Sequence, residues 1–274
     1  MTERRKVLER IAAALERMAP PVIPQTDWMS APAFTWDGES GVRIDHLEAL
    51  ALETLRGVDD QKAAVTSNIE RLAMGAAAHD MLLWGARGMG KSALIRSAVA
   101  ATQSKSPGAV RLIQVASAAA GSIPALLRQL ADTSGAYVLL FDDLGFGPDQ
   151  SAQVLALRSL LDGGLTARPA RVQIAVTSNR RAIVNRDTGE AEALHERDAR
   201  DDALALADRF GLTLGFHPCD TETYLEILRA YTEPLGLDVD EEEALAWAIS
   251  RGNRSGRTAL QYATELAGRV GVAI

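Results

Sequence analysis

Apolar positions change their period several times along the chain, and each change marks an element. Leu8, Ile11, Leu15 and Met18 recur at helical spacing with charged residues between them, which predicts an amphipathic helix over residues 1–19. Pro20, Pro21 and Pro24 end it. Residues 20–40 are Pro-rich and aperiodic, as expected of a surface linker that Trp28, Phe34 and Trp36 pin to the body. From about residue 60, short apolar runs alternate with helical patterns. Strands are predicted at Met81–Trp84, Val110–Val115, Tyr137–Phe141, Val172–Thr177 and Leu212–Phe216, and helices at Lys62–Met74, Lys91–Thr102, Ile123–Asp132 and Asp149–Leu161. Strands that alternate with helices imply an α/β fold, a parallel sheet with helices on both faces. The run Val138-Leu139-Leu140-Phe141 is apolar throughout, as a strand covered on both sides should be. After Pro218 the strands stop, and Thr221–Thr232, Glu241–Arg251 and Thr258–Val270 read as three helices. The expected domains are a helix and linker over 1–40, an α/β domain over 41–218 and an all-helical domain over 219–274. Residues 185–207, rich in Asp, Glu, Arg and Ala, read as an exposed insertion.

Composition narrows the function classes. The chain has 274 residues, 47% of them hydrophobic and only 5% aromatic, so its core must be built mostly from Leu, Ala, Val and Ile. A formal charge of −7 argues against a protein that grips nucleic acid through a generally basic surface. The stretch from Arg251 to Ile274 is a local exception, with Arg251, Arg254, Arg257 and Arg269 against Glu265. Cys219 is the single cysteine, which leaves no intrachain disulfide and suits a cytoplasmic setting. The charged N-terminus lacks the apolar core of a signal peptide, and no run of about 18 apolar residues suggests a membrane span.

Four stretches carry chemistry. Gly85-Ala86-Arg87-Gly88-Met89-Gly90-Lys91-Ser92 fits the pattern G-x-x-x-x-G-K-[ST] between a strand and a helix. Its backbone N–H groups would cradle phosphate oxygens, Lys91 would bring a charge to the β- and γ-phosphates, and the Ser92 hydroxyl would bind Mg²⁺. The helix that starts there adds the positive end of its dipole. Tyr137–Phe141 then runs into Asp142 and Asp143. Asp142 is the candidate magnesium residue, and Asp143 the base that polarises an attacking water. Asn179, at the end of the next strand, is placed to sense the γ-phosphate. Arg209, in Asp208-Arg209-Phe210-Gly211, either reaches a neighbouring subunit's γ-phosphate as an arginine finger or pairs with nearby acids such as Asp208. Arg257, with Arg254 in reserve, would report on the nucleotide from the helical domain. Gly57 and Val58, shortly before the first of these strands, would contact the adenine, although Asp59 beside them also reads as a helix cap.

The order of these motifs resembles the AAA+ superfamily. More narrowly, the chain resembles the bacterial ATPases grouped as domain of unknown function 815. The stretches that carry the narrower likeness include Leu82–Gly88, Phe141–Leu144, Leu157–Gly164, Ala167–Pro169, Thr177–Arg181, Leu206–Leu212 and Gly252–Thr258, so it covers about residues 40–270. The resemblance implies a P-loop fold with five parallel strands in the order 5-1-4-3-2 and a C-terminal helical lid. It also implies ATP and Mg²⁺ as ligands and a homo-oligomeric ring or filament with nucleotide at its interfaces. Two functions follow: an ATPase that remodels a protein client, or a slow-turnover switch or loader whose partner is DNA or protein. The basic C-terminal stretch is the sequence support for DNA. A metabolic kinase on the same loop is disfavoured by Asn179 and the arginines of the helical domain. The resemblance names no client.

Overall fold

The computed structural model describes residues 5, 7, 10, 11, 26–145, 151–163, 168–179 and 205–273. Arg5, Val7, Arg10 and Ile11 are helical, while the rest of the expected N-terminal helix and nearly all of the expected insertion at 185–207 lie outside the described residues. Seven strands form one sheet: β1 (Ala33–Trp36), β2 (Gly41–Ile44), β3 (Met81–Gly85), β4 (Arg111–Val115), β5 (Tyr137–Phe141), β6 (Val172–Ser178) and β7 (Leu212–Phe216). Their order across the sheet is β2-β1-β4-β5-β6-β3-β7. Every pairing is parallel except that of β1 with β2.

The expectation of five strands is thereby corrected to seven, in a longer order. The five strands predicted from the sequence form the contiguous block β4-β5-β6-β3-β7, and β1 and β2 extend it beyond β4. Residues 33–36 are therefore part of the sheet and not surface linker. Ala33 pairs with Leu112 and Trp36 with Val115. The ladder continues at both ends, from Leu112 N–H to the Pro32 carbonyl (3.2 Å) and from Ala116 N–H to that of Trp36 (3.0 Å). Burial of aromatic side chains supplies the driving force. Phe34 and Trp36 are fully buried with Trp28, and the Trp36 indole N–H donates to Ser122 Oγ at 2.8 Å.

Helices cover both faces. Side chains alternate along β5, so Leu139 and Phe141 enter one apolar cluster and Val138 and Leu140 the other. The first cluster holds Leu126, Leu127 and Leu130 of α3 (Ile123–Ala131) and Val154 and Leu157 of α4 (Ser151–Leu161). The second holds Val65, Ile69 and Leu72 of α1 (Asp59–Ala73) and Leu94, Ile95 and Val99 of α2 (Lys91–Lys105). Beyond β7, α5 (Thr221–Thr232), α6 (Glu241–Ser250) and α7 (Gly256–Arg269) pack around Tyr224, Leu228, Ala248, Tyr262 and Ala263 in a third cluster. Each of the three is capped at its N-terminus, by Asp220, Asp240 and Ser255 accepting backbone N–H bonds. Among the described residues no helix is long and apolar enough to cross a membrane.

Candidate functional site

The C-terminal ends of β3, β5 and β6 converge on one place. At the end of β3 the chain turns away at Gly85, whose φ is +123°. A Cβ there would lie 2.1 Å from the Phe216 carbonyl oxygen. Ala86 N–H donates to the same oxygen at 2.7 Å, so the end of β7 clamps the start of the loop. Farther along, Gly88 has a φ of +75° and faces the start of α7: a Cβ would meet Ser255 Oγ at 2.7 Å. The Arg257 N–H donates to the Gly88 carbonyl at 3.2 Å. The loop is thus held from one side by the sheet and from the other by the C-terminal helices. Gly90 then ends the loop and begins α2, with Lys91 and Ser92 in its first turn.

The polar groups at these strand ends form two connected sets. In the first, Asp142 accepts hydrogen bonds from the Ser92 hydroxyl and, at 2.6 Å, from that of Thr177. In the second, Lys91 Nζ donates to the carbonyls of Gly85 (3.1 Å) and Ala86 (2.7 Å) and to Asn179 Oδ1 (2.9 Å). The Asn179 amide in turn donates to Asp143. Lys91 is 6% exposed. Burial lowers its pKa from 10.5 to about 8, against the opposing pull of Asp143 and Asp142. Asp143 is the one non-glycine residue with a positive φ (+56°) among the described residues.

These groups open onto a cavity of about 710 Å³ between the sheet and the C-terminal helices. Of the residues anticipated from the sequence, Val58, Gly88, Met89, Gly90, Lys91 and Ser92 line it. Asp142, Asp143, Asn179 and Arg257 line it too. Gly85, Ala86 and Arg87 do not, since Gly85 and Ala86 face β7. Gly57 is also outside the lining, because it packs against Thr223 in the first turn of α5. Arg254 donates to Thr221 Oγ1 at 2.7 Å and leaves the cavity to Arg257. Arg209 stands apart. It makes a two-pronged pair with Asp162, one prong at 3.2 Å, and donates to the Ala205 carbonyl. Its hydrogen-bonded acidic partner is Asp162, and Asp208 beside it adds a further attraction. In the basic C-terminal stretch, Arg269 is paired with Glu243 (2.7 Å) and Glu265 (3.1 Å), and Arg251 lies over the Trp247 ring at 4.6 Å.

Several lining residues escaped the sequence reading. Thr54 comes from the chain before α1, just ahead of the adenine-side segment whose Leu55 and Arg56 join Val58 in the lining, and Ile227, Tyr231 and Leu260 come from the C-terminal helices. Arg96 lies one helical turn beyond Ser92, a spacing that places both on one face of α2. Thr177 lies two positions before Asn179, and strand alternation puts the two on the same side.

Among the described residues no group of three or more His, Cys, Asp or Glu side chains could hold a metal ion. Magnesium fits here in another way. It is commonly bound by one or two carboxylates together with substrate phosphates, and Ser92 and Asp142 present hard oxygen donors side by side next to the loop.

Several solved structures share the fold. The Holliday junction branch migration motor RuvB of Thermotoga maritima matches over 82% of this chain and 68% of its own, with a TM-score of 0.52 and 16% identity. The ORC1 protein of Aeropyrum pernix, solved in complex with DNA, matches over 82% and 63%, with a TM-score of 0.57 and 18% identity. The FIGL-1 AAA domain, solved with ADP, matches over 82% and 75%, with a TM-score of 0.51 and 16% identity. At these identities the likeness is one of fold, and the fold is that of the AAA+ proteins. No curated protein sequence matches. Residues 29–270 match the family described as "Protein of unknown function (DUF815)", and the chain belongs to that family.

Proposed function

We propose that this chain binds ATP with Mg²⁺ in the cavity at the end of the sheet, and hydrolyses it to change its conformation against a protein client. The observation that carries the reading is the pair of connected sets at the loop, Ser92–Asp142–Thr177 and Lys91–Asn179–Asp143. The loop N–H groups and Lys91 bind the phosphates. Leu55, Val58, Ile227 and Tyr231 offer an apolar place for the base. Ser92 and Asp142 would hold magnesium, which when bound neutralises phosphate charge. Asp143 accepts a proton from the attacking water as its oxygen bonds to the γ-phosphorus and the bond to the β–γ bridging oxygen breaks, releasing ADP. Asn179 fixes Asp143 and contacts the γ-phosphate. Residues 219–274 act as a lid over the cavity, with Arg257 as its nucleotide contact.

Arg209 completes the site of an adjoining copy in a homo-oligomeric ring or filament, in the cytoplasm. In the structure it is bound to Asp162 of its own chain. That pairing favours a second reading, a slow-turnover switch in which nucleotide controls assembly on a DNA or protein partner. Molecular size measured with ADP, ATP and a slowly hydrolysed analogue, alongside phosphate release, separates the two. The first reading expects ATP-dependent assembly with turnover, and Arg209→Ala that still binds nucleotide but loses turnover even at high protein concentration. Assembly without turnover supports the switch. Failure of the chain to bind nucleotide overturns both, and full turnover by Arg209→Ala overturns the shared site.

A further inference from the structure

We infer that Thr177 is a positioning residue of the magnesium and water side of this site, an inference that rests on the ATP reading above. Its hydroxyl uses both its functions at once. It donates to Asp142 Oδ1 at 2.6 Å and accepts the backbone N–H of Asp143 at 2.9 Å. Its own carbonyl accepts the N–H of Leu144 at 2.8 Å. Thr177 is 2% exposed and sits on β6, paired with Leu83 of β3, so its backbone is fixed by the sheet.

The two acidic residues need such a partner. β5 ends at Phe141, and beyond it the ladder to β6 gives way. Asp143 takes a φ of +56°, a conformation that side chains with a Cβ rarely adopt. Its N–H would be left without a bond if Thr177 lacked the hydroxyl, and an unmade hydrogen bond at a part-buried site is costly. One hydroxyl therefore holds the carboxylate of Asp142 and the backbone of Asp143. The direction in which Asp143 projects, towards Asn179, follows from that anchor. Valine has nearly the shape of threonine but can serve neither role, while serine serves both.

The test compares the wild type, Thr177→Val and Thr177→Ser, with Thr177→Ala in place of the valine variant should that one not fold. Dissociation constants for a fluorescent ATP analogue are measured in excess EDTA and in Mg²⁺, and steady-state hydrolysis is followed separately. Thr177→Val is expected to keep the EDTA constant within about threefold, to lose most of the tightening that Mg²⁺ confers, and to lower kcat about tenfold or more. Thr177→Ser is expected to restore both. The split between metal-free and metal-bound affinity is a readout that a purely structural threonine would not move. Unchanged tightening and kcat in Thr177→Val overturn the inference. So does an equal loss of affinity with and without Mg²⁺, or a stable Thr177→Ser that fails to restore them. A wild type that binds nucleotide equally with and without Mg²⁺ overturns the inference and the magnesium part of the ATP reading, while nucleotide binding itself stands. A wild type that binds no nucleotide overturns the ATP reading, and the inference with it.

Discussion

Nucleotide affinity should fall steeply above pH 8, because Lys91 must be charged to hold phosphate and is only weakly held charged in the empty site. Burial brings its pKa down from 10.5 to about 8. Phosphate oxygens at the loop would favour the ammonium and move the value back up. Binding would therefore take up a proton wherever the empty site is neutral: about half a proton at pH 8 and about nine-tenths at pH 9, against about one-tenth at pH 7. Above pH 8 the dissociation constant would rise about tenfold per pH unit, until the bound-state value is reached. Titration calorimetry in two buffers of different ionisation enthalpy, at pH 7, 8 and 9, reads the proton uptake directly. ATP itself does not titrate in the upper half of that window, so the uptake there belongs to the protein. Lys91→Met should bind weakly and without this dependence. The ligand-free protein gives the complementary sign. The folded value lies below the unfolded one, so Lys91 costs stability below about pH 8, and the cost fades as the pH rises towards 10.5. An affinity flat from pH 7 to 9, or uptake at pH 9 that Lys91→Met retains, would refute the reasoning.

Two substitutions test the architecture that positions the loop. Gly85→Ala places a methyl 2.1 Å from a backbone oxygen at a φ of +123°. It should cost about 3 kcal/mol or more in urea unfolding, with nucleotide binding lost under conditions where the fold survives. Trp36→Ala should cost about 3–5 kcal/mol, because it empties a fully buried site in the first core cluster. Were residues 33–36 merely surface linker, the cost would stay within about 0.5 kcal/mol.

Legibility from the sequence followed the range of the interactions involved. The loop at 85–92 and the acidic pair at 142–143 were readable because their chemistry depends on residues adjacent in the chain, at a spacing the backbone enforces. The strand block β4-β5-β6-β3-β7 was readable because strands covered on both faces leave apolar runs. β1 was not: Ala33–Trp36 has four residues, follows Pro32 and shows no alternation. Its strand character comes from pairing with β4, a partner some 80 positions away in the chain. Thr177 reads as an ordinary β-former until the neighbouring strand end is in place. Gly57 illustrates the reverse: its segment does reach the cavity, yet contact with α5 turns that residue away from it. Tyr231 and Leu260 sit on amphipathic helices whose pattern separates inside from outside, but does not say which inside faces belong to a neighbouring unit.

Two contacts between the C-terminal helices and the α/β body lie far apart in the chain. One is the first turn of α5, where Thr223 packs on Gly57 close to the covalent crossing at residues 217–220. The other is the start of α7, where Arg257 N–H and Ser255 meet Gly88. If these two contacts held while the others gave way, the helices would keep one freedom, rotation about the line that joins the two. The second of them falls on Gly88, in the loop proposed to cradle phosphate. Any shift of Gly88 when phosphate seats would move one end of the axle, and the far end of the helices would sweep an arc with the leverage of their full length.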